Sequence, residues 1–309
     1  MRKILALLGI FICLCGCSQT YMPEKIWFNN SDGTWCFSPP RDLTHIAREK
    51  VFVANDMAQY TCFMDDQEWG ISRLHGDSSD VIIKEPLLYD DDTLGRPKWW
   101  PLIDCAPQVV ESWIVFYAFE RDTNAIHLCK VQIDGSKFYE FKDCKFRGDC
   151  LLTDGVSLYS VCKNAQNNWV PSRINLVTNQ IVELSATPAN VRDNFWINSG
   201  IVWWTSISGD SILLYATPSD GGQETSFFIE NVQYVGANQI FYRGDKNRLY
   251  SQDIETKENI PWESSVDVPW DYIIGSTSRG ILLCGTKDRD LSYWFLDFSS
   301  GEIAQVLMR

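Results

Sequence analysis

The sequence predicts an all-β domain built from small antiparallel sheets that repeat along the chain. Short runs rich in Val, Ile, Tyr, Trp and Phe alternate with turn pairs such as Asp-Gly and Gly-Gly. A strongly apolar strand returns at intervals of about 40–45 residues, the length of one four-stranded unit. Helical periodicity is nearly absent, and the one short helix candidate spans 42–51, with Asp42 as its cap. With 309 residues, such a chain is long enough to bury a substantial core.

The recurring apolar strand occurs six times, at 51–53, 113–117, 156–159, 201–204, 240–242 and 281–283. Each is followed by a second strand and then by a strand that ends in a polar turn, as at 174–180, 251–258 and 295–302. One such unit cannot bury both faces of its sheet alone. Stacking the units around an axis covers the faces, and closing the ring protects the edges. We therefore expect a β-propeller of six four-stranded blades.

Two further features concern the ends of this ring. The apolar runs at 26–28 and 35–37 precede the first unit, so they either pair with 303–307 and close the ring or help to build a seventh blade. The interval between the first two units is longer than the others, which predicts an insertion at 86–107. A pair of β-sandwiches is the rival fold, but the regular spacing without a linker argues against it.

The phrase "strand, Leu/Ile-x-x-Asp, turn with Gly or Lys, strand" resembles the divergent β-propellers of bacterial envelope proteins, among them the TolB-like and quinoprotein-like families. The Gly-His and Trp-Asp signatures of WD40 repeats and the double glycine of kelch repeats are missing. The resemblance therefore implies an architecture of six or seven four-stranded blades. It does not imply a function.

The first 17 residues, MRKILALLGIFICLCGC, carry a second resemblance. A basic start at Arg2 and Lys3 precedes an apolar stretch at 4–14, which is too short for a transmembrane helix. The following Leu-Cys-Gly-Cys resembles the lipobox of bacterial lipoproteins. It implies a signal peptide at 1–16, lipidation of Cys17, a tether at 17–21 and a propeller domain at 22–309. An ordinary secretory signal cut near Gly16 is the alternative.

The lipoprotein resemblance also implies a location and a membrane partner. The chain would be exported to the bacterial cell envelope and held there by fatty-acid chains on its first mature residue. In Gram-negative lipoproteins an Asp after the lipidated cysteine favours the inner membrane. Here that residue is Ser18, so we expect the outer membrane if the cell has one.

Charge narrows the classes of partner. The net charge is −13 at a mean hydropathy of −0.17, and removal of Arg2 and Lys3 with the signal peptide makes it −15. A body this acidic is repelled by phosphate backbones, so we expect no nucleic-acid partner.

Cysteines and histidines indicate structural roles. The chain has 11 cysteines, and an exported chain permits disulfides. Cys144 and Cys150 flank a short polar segment and are the candidate disulfide pair, although buried thiols are the simpler interpretation for several others. The mature chain has no CxxC pair and its three histidines are far apart, so we expect no metal site and no cofactor.

The sequence contains no catalytic motif: GxSxG, HExxH, Walker and GxGxxG patterns are all absent.

Among the 13 tryptophans, Trp203 and Trp204 are adjacent within a strand, so alternation should place them in the core on opposite faces of the sheet. Trp99 and Trp100 lie among prolines in the predicted insertion, where loop aromatics suit a sugar ring or a partner protein. The acidic run Asp90, Asp91 and Asp92 precedes them and completes the candidate ligand-binding set.

The sequence therefore predicts a lipid-anchored envelope protein that binds or scaffolds a protein or glycan partner on one propeller face, without catalysis. The alternative is a glycan-active hydrolase or lyase that uses loop carboxylates, drawn from Asp65, Asp66, Glu68 and the 90–92 run. A third interpretation is a surface lipoprotein whose acidic body only repels its neighbours.

Overall fold

The structure is a computed structural model that describes residues 26–30, 33–37, 45–49, 52–53, 59–64, 69–75, 78–84, 99–101, 107–120, 123, 125–142, 144–190, 194–287 and 290–308. The described residues form 28 strands and two short 3₁₀ segments. The predicted all-β class is therefore confirmed. No helix in these ranges has the length and apolar character needed to cross a membrane.

The described strands form six hydrogen-bonded sheets, one of which joins three N-terminal strands to four C-terminal strands. We count these two groups separately and call the resulting seven strand groups, in chain order, blades I to VII. Blade I contains β1 (Ile26–Asn30), β2 (Gly33–Phe37) and β3 (His45–Glu49). Blade II contains β4 (Phe52–Val53), β5 (Gln59–Met64), β6 (Trp69–His75) and β7 (Ser78–Lys84). Blade III contains β8 (Trp99–Pro101), β9 (Gln108–Val110), β10 (Trp113–Glu120), β11 (Ala125–Gln132) and β12 (Phe138–Phe141).

The remaining blades each have four strands. Blade IV contains β13 (Phe146–Thr153), β14 (Leu158–Lys163), β15 (Trp169–Ile174) and β16 (Ile181–Glu183). Blade V contains β17 (Phe195–Asn198), β18 (Ile201–Ser208), β19 (Ser211–Pro218) and β20 (Thr225–Phe227). Blade VI contains β21 (Val232–Val235), β22 (Gln239–Arg243), β23 (Leu249–Asp253) and β24 (Asn259–Trp262). Blade VII contains β25 (Trp270–Ser276), β26 (Gly280–Lys287), β27 (Asp290–Asp297) and β28 (Ile303–Met308).

The seven blades follow one another in a ring. The strands that begin successive blades contact each other in the order β4, β9, β13, β17, β21 and β25. In blade III, β8 and β9 pair with the same edge of β10 and share this position. Blade I completes the ring, because β25 contacts β1 and β2 contacts β4. β3 also pairs with β28 in parallel, with Leu307 opposite His45.

The runs at 26–28 and 35–37 lie in β1 and β2, which pair with each other, and β2 pairs with β3. They therefore help to build a seventh blade and do not themselves pair with the C-terminal strand. The partner of β28 is β3, in the segment for which the sequence predicted a helix.

Blade I corrects one local expectation. The segment 42–51 is the helix candidate of the sequence, yet its described residues 45–49 form strand β3. β3 has partners on both sides, antiparallel β2 and parallel β28. Ladder hydrogen bonds to two neighbours outweigh a weak local helix preference.

The recurring apolar strand is the second strand of five blades, because five of its six occurrences overlap β10, β14, β18, β22 and β26. These strands are paired on both edges and covered on both faces, as the almost continuous burial of β14 and the middle of β18 shows. A strand buried on both faces is apolar throughout. The blades therefore begin one strand earlier than the sequence pattern indicated.

The core consists of apolar layers between neighbouring blades. One layer joins blades IV and V and contains Tyr159, Val161 and Trp204. The next joins blades V and VI and contains Trp203 and Val235. The side chains of Trp203 and Trp204 are almost fully buried in these two different layers, which confirms the predicted alternation.

The polar turns that the sequence indicates at 174–180, 251–258 and 295–302 lie between the third and fourth strands of blades IV, VI and VII. In three blades an Asn or Asp Oδ1 accepts N–H bonds from the residues two and three positions ahead; the turn acceptors are Asn175, Asp253 and Asp297. A residue with positive φ lies four positions after each acceptor, at Asn179, Lys257 and Gly301. A short polar side chain that bonds its own backbone explains why this position is restricted to Asp or Asn.

These turns make acid stability testable at Asp297. Hydrogen bonds from the Ser299 hydroxyl and from the backbone of Ser299 and Ser300 hold the pKa of Asp297 below its usual value of 3.8. Because the folded pKa is lowered, the stabilisation is complete above the usual value and is lost as pH falls through the lowered one. Asp297→Asn keeps the acceptor, as Asn175 does in blade IV, and removes the titration.

We expect Asp297→Asn to change the free energy of unfolding at neutral pH by less than about 0.5 kcal/mol and to lose less stability than the parent at about pH 3. Urea unfolding midpoints at the two pH values measure this difference. Asp210→Asn, in the β18–β19 turn, controls for removal of a carboxylate from an exposed turn. An acid loss equal to that of the parent chain would contradict the role of the Asp297 carboxylate.

Candidate anion-binding site

One face of the ring carries the loops between second and third strands and the connections that enter each blade. We call it the B–C face. In blade IV it includes the end of β14, the start of β15 and the residues before β13, because antiparallel neighbours reverse direction and bring these ends together. The Asn and Asp turns described above lie at the opposite ends of the strands.

A cavity of about 570 Å³ opens between blades III and IV on the B–C face. This volume is within the range of small-ligand sites. Nine of the described residues line it: Thr123, Ala125, Ile126, Lys145, Phe146, Arg147, Lys163, Trp169 and Asn190. Among these nine, three are cationic and none is acidic, in a chain whose net charge is −13. We call this cavity the basic pocket.

The backbone of blade IV positions the three cations. Lys145 precedes β13, and its carbonyl accepts the N–H of Lys163 at 2.9 Å, which joins the start of one strand to the end of the next. Arg147, in β13, donates from Nη1 to the carbonyl of Ala189 in the connection to blade V. The three charges therefore come from one sheet end, although they lie as many as 18 positions apart in sequence.

Lys163 and Trp169 form the wall at the β14–β15 loop. The ammonium of Lys163 lies 5.0 Å from the centre of the Trp169 ring and donates to Asn167 Oδ1 at 2.9 Å. The loop is held by Asn164, whose Oδ1 accepts the N–H groups of Gln166 and Asn168. A cation over an aromatic face is held in place while its remaining N–H donors stay available.

An acidic group lies beside the pocket but does not line it. The Thr123 hydroxyl donates to the Glu120 carboxylate. His127 lies between two carboxylates, with its Nε2 3.6 Å from Glu120 Oε2 and its Nδ1 2.9 Å from Glu140 Oε1. The carboxylates therefore have partners within blade III. The lining itself offers positive charge, one aromatic wall and the amide and hydroxyl groups of Asn190 and Thr123, which suits an anionic ligand with a ring or other flat part.

The structure places the backbone of Trp99 and Trp100 next to this pocket. They belong to β8, and they pair with the end of β10, Trp99 opposite Glu120 and Trp100 opposite Phe119. Glu120 is three residues before the lining residue Thr123. The two tryptophans are thus on the B–C side of blade III.

The predicted loop setting of Trp99 and Trp100 is wrong, because both lie in a strand. β9 pairs with residues 113–115, at the start of β10, and leaves the backbone N–H and C=O groups at the end of β10 without a partner from β9. β8 pairs with residues 118–120 on that edge, since unpaired backbone groups are costly within a protein.

Other predicted site residues are not brought together. Asp90, Asp91, Asp92 and Cys17 lie outside the described residues. Cys144 and Cys150 are thiols in the structure, and they contact different interblade layers, Cys144 that of blades III and IV and Cys150 that of blades IV and V. The two faces of one sheet separate them, so the structure does not support this pair as a disulfide.

Within the described ranges, no group of three His, Cys, Asp or Glu side chains is placed to hold a metal ion.

The cations of the basic pocket are the residues that the sequence did not predict. Their only sequence signal is a scatter of Lys and Arg around 145–147 and 163 in an acidic chain, and the packing of two blades is needed to bring them together.

Comparisons with known proteins address the fold. No protein-family model matches the chain, and no curated protein matches it. Among solved structures, a puromycin-hydrolysing peptidase of Mycobacterium tuberculosis is 12% identical with a TM-score of 0.42; the match covers 83% of this chain and 52% of that one, so the chain spans about half the length of the peptidase. TolB from Acinetobacter baumannii is 10% identical with a TM-score of 0.45, over 80% and 68% of the two chains.

A third structure is similar over most of both chains. The β-propeller domain of the Trilobed protease from Pyrococcus furiosus is 12% identical with a TM-score of 0.54, and the match covers 84% of this chain and 82% of that one. At this identity the likeness concerns the fold alone. Together with the ring of small antiparallel sheets, it identifies the chain as a β-propeller.

Proposed function

We propose that this chain is a binding protein of the bacterial cell envelope, tethered by lipid on Cys17, that captures an anionic glycan in the basic pocket on its B–C face. The observation that carries the proposal is the convergence of Lys145, Arg147 and Lys163 around one cavity, whose described lining contains no acidic side chain. The envelope and lipid parts of the proposal come from the lipobox resemblance at the N-terminus.

The chemistry of the lining supports a glycan that carries carboxylates. Lysine and arginine bind carboxylates through charge-assisted hydrogen bonds. Trp169 offers an aromatic edge to a sugar ring, and Asn190 and Thr123 offer partners for hydroxyl groups. Because the whole chain is acidic, it does not attract anions from a distance, so binding depends on short-range contacts and weakens with salt.

The double variant Lys145→Gln with Lys163→Gln tests the pocket directly. We expect its affinity for a uronic-acid oligosaccharide to fall about 10- to 100-fold, since each lost charge-assisted hydrogen bond contributes about 1.5–3 kcal/mol and a flexible ligand recovers part of it. Titration calorimetry against the acidic oligosaccharide and a neutral one of equal length measures this change. Lys246→Gln, in the β22–β23 loop of blade VI, removes a charge from the same face away from the pocket.

Four outcomes decide the proposal. Equal binding of acidic and neutral oligosaccharides, or equal loss in Lys246→Gln, would contradict a specific basic pocket. Capture of an acidic peptide in place of the glycan would transfer the site to a protein partner. Cleavage of the oligosaccharide during the titration would favour the glycan-active alternative, whose candidate carboxylates lie outside the described residues.

The double variant Trp99→Ala with Trp100→Ala should also weaken binding in the same assay, because the backbone of both residues lies beside the pocket.

A further inference from the structure

We propose that Cys144 and Cys162 form a disulfide bond when the chain enters an oxidising compartment, and that this bond locks the entry of blade IV. The proposal concerns a covalent modification, and it does not depend on the ligand of the basic pocket. It also replaces the Cys144–Cys150 pair that the sequence suggested.

The two thiols are neighbours on one face of blade IV. Phe146 of β13 is opposite Cys162 of β14, so Cys144 is the diagonal neighbour of Cys162, two positions along. Both cysteines pack in the layer between blades III and IV. Cys144 Sγ lies 3.9 Å from the carbonyl oxygen of Lys163, the residue after Cys162.

The backbone around Cys144 permits the small approach that a bridge needs. Diagonal positions in a regular ladder are farther apart than the ~3.5–4.5 Å between the Cβ atoms of a disulfide. Cys144, however, lies in a bend before β13 begins, one residue beyond the hydrogen bond between Lys163 N–H and the Lys145 carbonyl, so its Cα is less constrained than a position within the ladder. The other described cysteine side chains are elsewhere: Cys150 is on the opposite face of blade IV, Cys129 is in the layer between blades II and III, and Cys284 is in blade VII.

The two thiols have different reactivity, which orders the reaction. Hydrogen bonding with Cys162 lowers the pKa of Cys144, which is partly exposed, whereas burial raises the pKa of Cys162 well above its usual value. The thiolate is the attacking species, so Cys144 reacts first with an external disulfide and Cys162 resolves the product.

The exchange balances with a disulfide donor as oxidant. The Cys144 thiolate attacks one sulfur of the donor, forms a mixed disulfide and expels the first donor thiol. The Cys162 thiol then loses its proton, attacks the Cys144 sulfur and expels the second donor thiol. Two protein thiols are oxidised to one disulfide, and one donor disulfide is reduced to two thiols. The bond would fix Lys145, the neighbour of Cys144, at the rim of the basic pocket.

Peptide mapping of the full chain tests the bond. The reduced protein is treated with oxidised glutathione, unfolded in the presence of an alkylating agent, digested and analysed by mass spectrometry. We expect the peptides that contain Cys144 and Cys162 to be linked, two hydrogens lighter than their sum, while Cys129 and Cys150 are alkylated. Alkylation of both Cys144 and Cys162 after oxidation, or linkage of Cys144 to any other cysteine, would overturn the proposal.

Variants give a second measurement that does not depend on linked peptides. Cys162→Ser should leave Cys144 as a stable mixed disulfide with glutathione, and Cys144→Ser should prevent any adduct at position 162. Cys129→Ser is the matched control, because it removes a buried thiol from another layer and should leave the Cys144–Cys162 link intact. In the parent chain the oxidised form should melt at a higher temperature than the reduced form. Equal melting of the two forms, or the same rise in Cys144→Ser, would contradict the bond.

Discussion

We expect replacement of Trp204 by alanine to lower the free energy of unfolding by about 3–5 kcal/mol, the usual cost of deleting a fully buried tryptophan. The Trp204 side chain has no exposed surface, and its ring stacks on Tyr215 with the centroids 5.8 Å apart. It belongs to the layer between blades IV and V, so the cavity left by the variant would weaken the contact between two blades. Urea unfolding measures the loss.

Two control variants distinguish the loss of ring volume at position 204 from the loss of the indole N–H and from a substitution elsewhere on the same strand. Within the described part of the chain, Trp204 Nε1 has no hydrogen-bond partner although it is buried. Trp204→Phe removes this N–H and keeps an aromatic ring, so it should cost clearly less than alanine. Ile207→Ala, on the same strand but 54% exposed, should cost less than about 1 kcal/mol. Equal losses in Trp204→Ala and Ile207→Ala would show that this layer does not hold the ring together.

The second large effect is expected at Gly285, where an alanine has no room. Gly285 of β26 is opposite Trp270, next to an irregularity in the β25 register. A Cβ at position 285 would lie 2.7 Å from Trp270 Cα and closer still to the carbonyl oxygen of Pro269. These are backbone atoms of the neighbouring strand, so relief requires moving that strand. We expect Gly285→Ala to cost about 3 kcal/mol, the upper end for overpacking.

Gly209→Ala is the matched control for this steric argument. Gly209 has a φ of +62°, but among the residues that the structure describes no heavy atom lies within 4 Å of the position that a Cβ would take there. Its alanine variant therefore carries only the cost of the left-handed backbone, about 1 kcal/mol. Urea unfolding of both variants compares the two costs. A loss in Gly285→Ala no larger than that in Gly209→Ala would mean that β25 yields easily at its irregular register.

The third-to-fourth strand turns were predictable because their cause is local. Asn175, Asp253 and Asp297 each bond backbone groups two and three positions ahead, so the motif is complete within a few residues. Burial of Trp203 and Trp204 on opposite faces was predictable for the same reason, since alternation along a strand needs no knowledge of its partners.

The candidate site was less predictable because its parts come from several segments. The sequence pointed to Trp99 and Trp100, and the structure places their backbone beside the pocket, but as a strand paired with Glu120 and Phe119. Lys145 and Lys163 meet because β13 and β14 are antiparallel neighbours, and Thr123 joins them because blade III packs on blade IV. Neither relation has a signature in the sequence.

The cysteine pairing also could not be predicted from the sequence, because it depends on strand register. Spacing in sequence favoured Cys144 and Cys150, which are six positions apart. The register shift within β13 and the alternation of faces instead place Cys144 near Cys162. Proximity along the chain is a weak guide to proximity across a sheet, because one residue of register reverses the face of every side chain.

The sequence by itself determined that this protein is a repeated β fold, where several of its turns lie and that Trp203 and Trp204 are buried, because these properties depend on the spacing of apolar runs and on patterns within a few neighbouring residues. Only the tertiary structure decided that strands from the two ends of the chain share one seven-stranded sheet, that β3 pairs with β28 across more than 250 residues, and that three cations surround one pocket in an acidic chain. Those features depend on which strand edges are left to pair and on how blades stack when the ring closes, and both are properties of the whole chain.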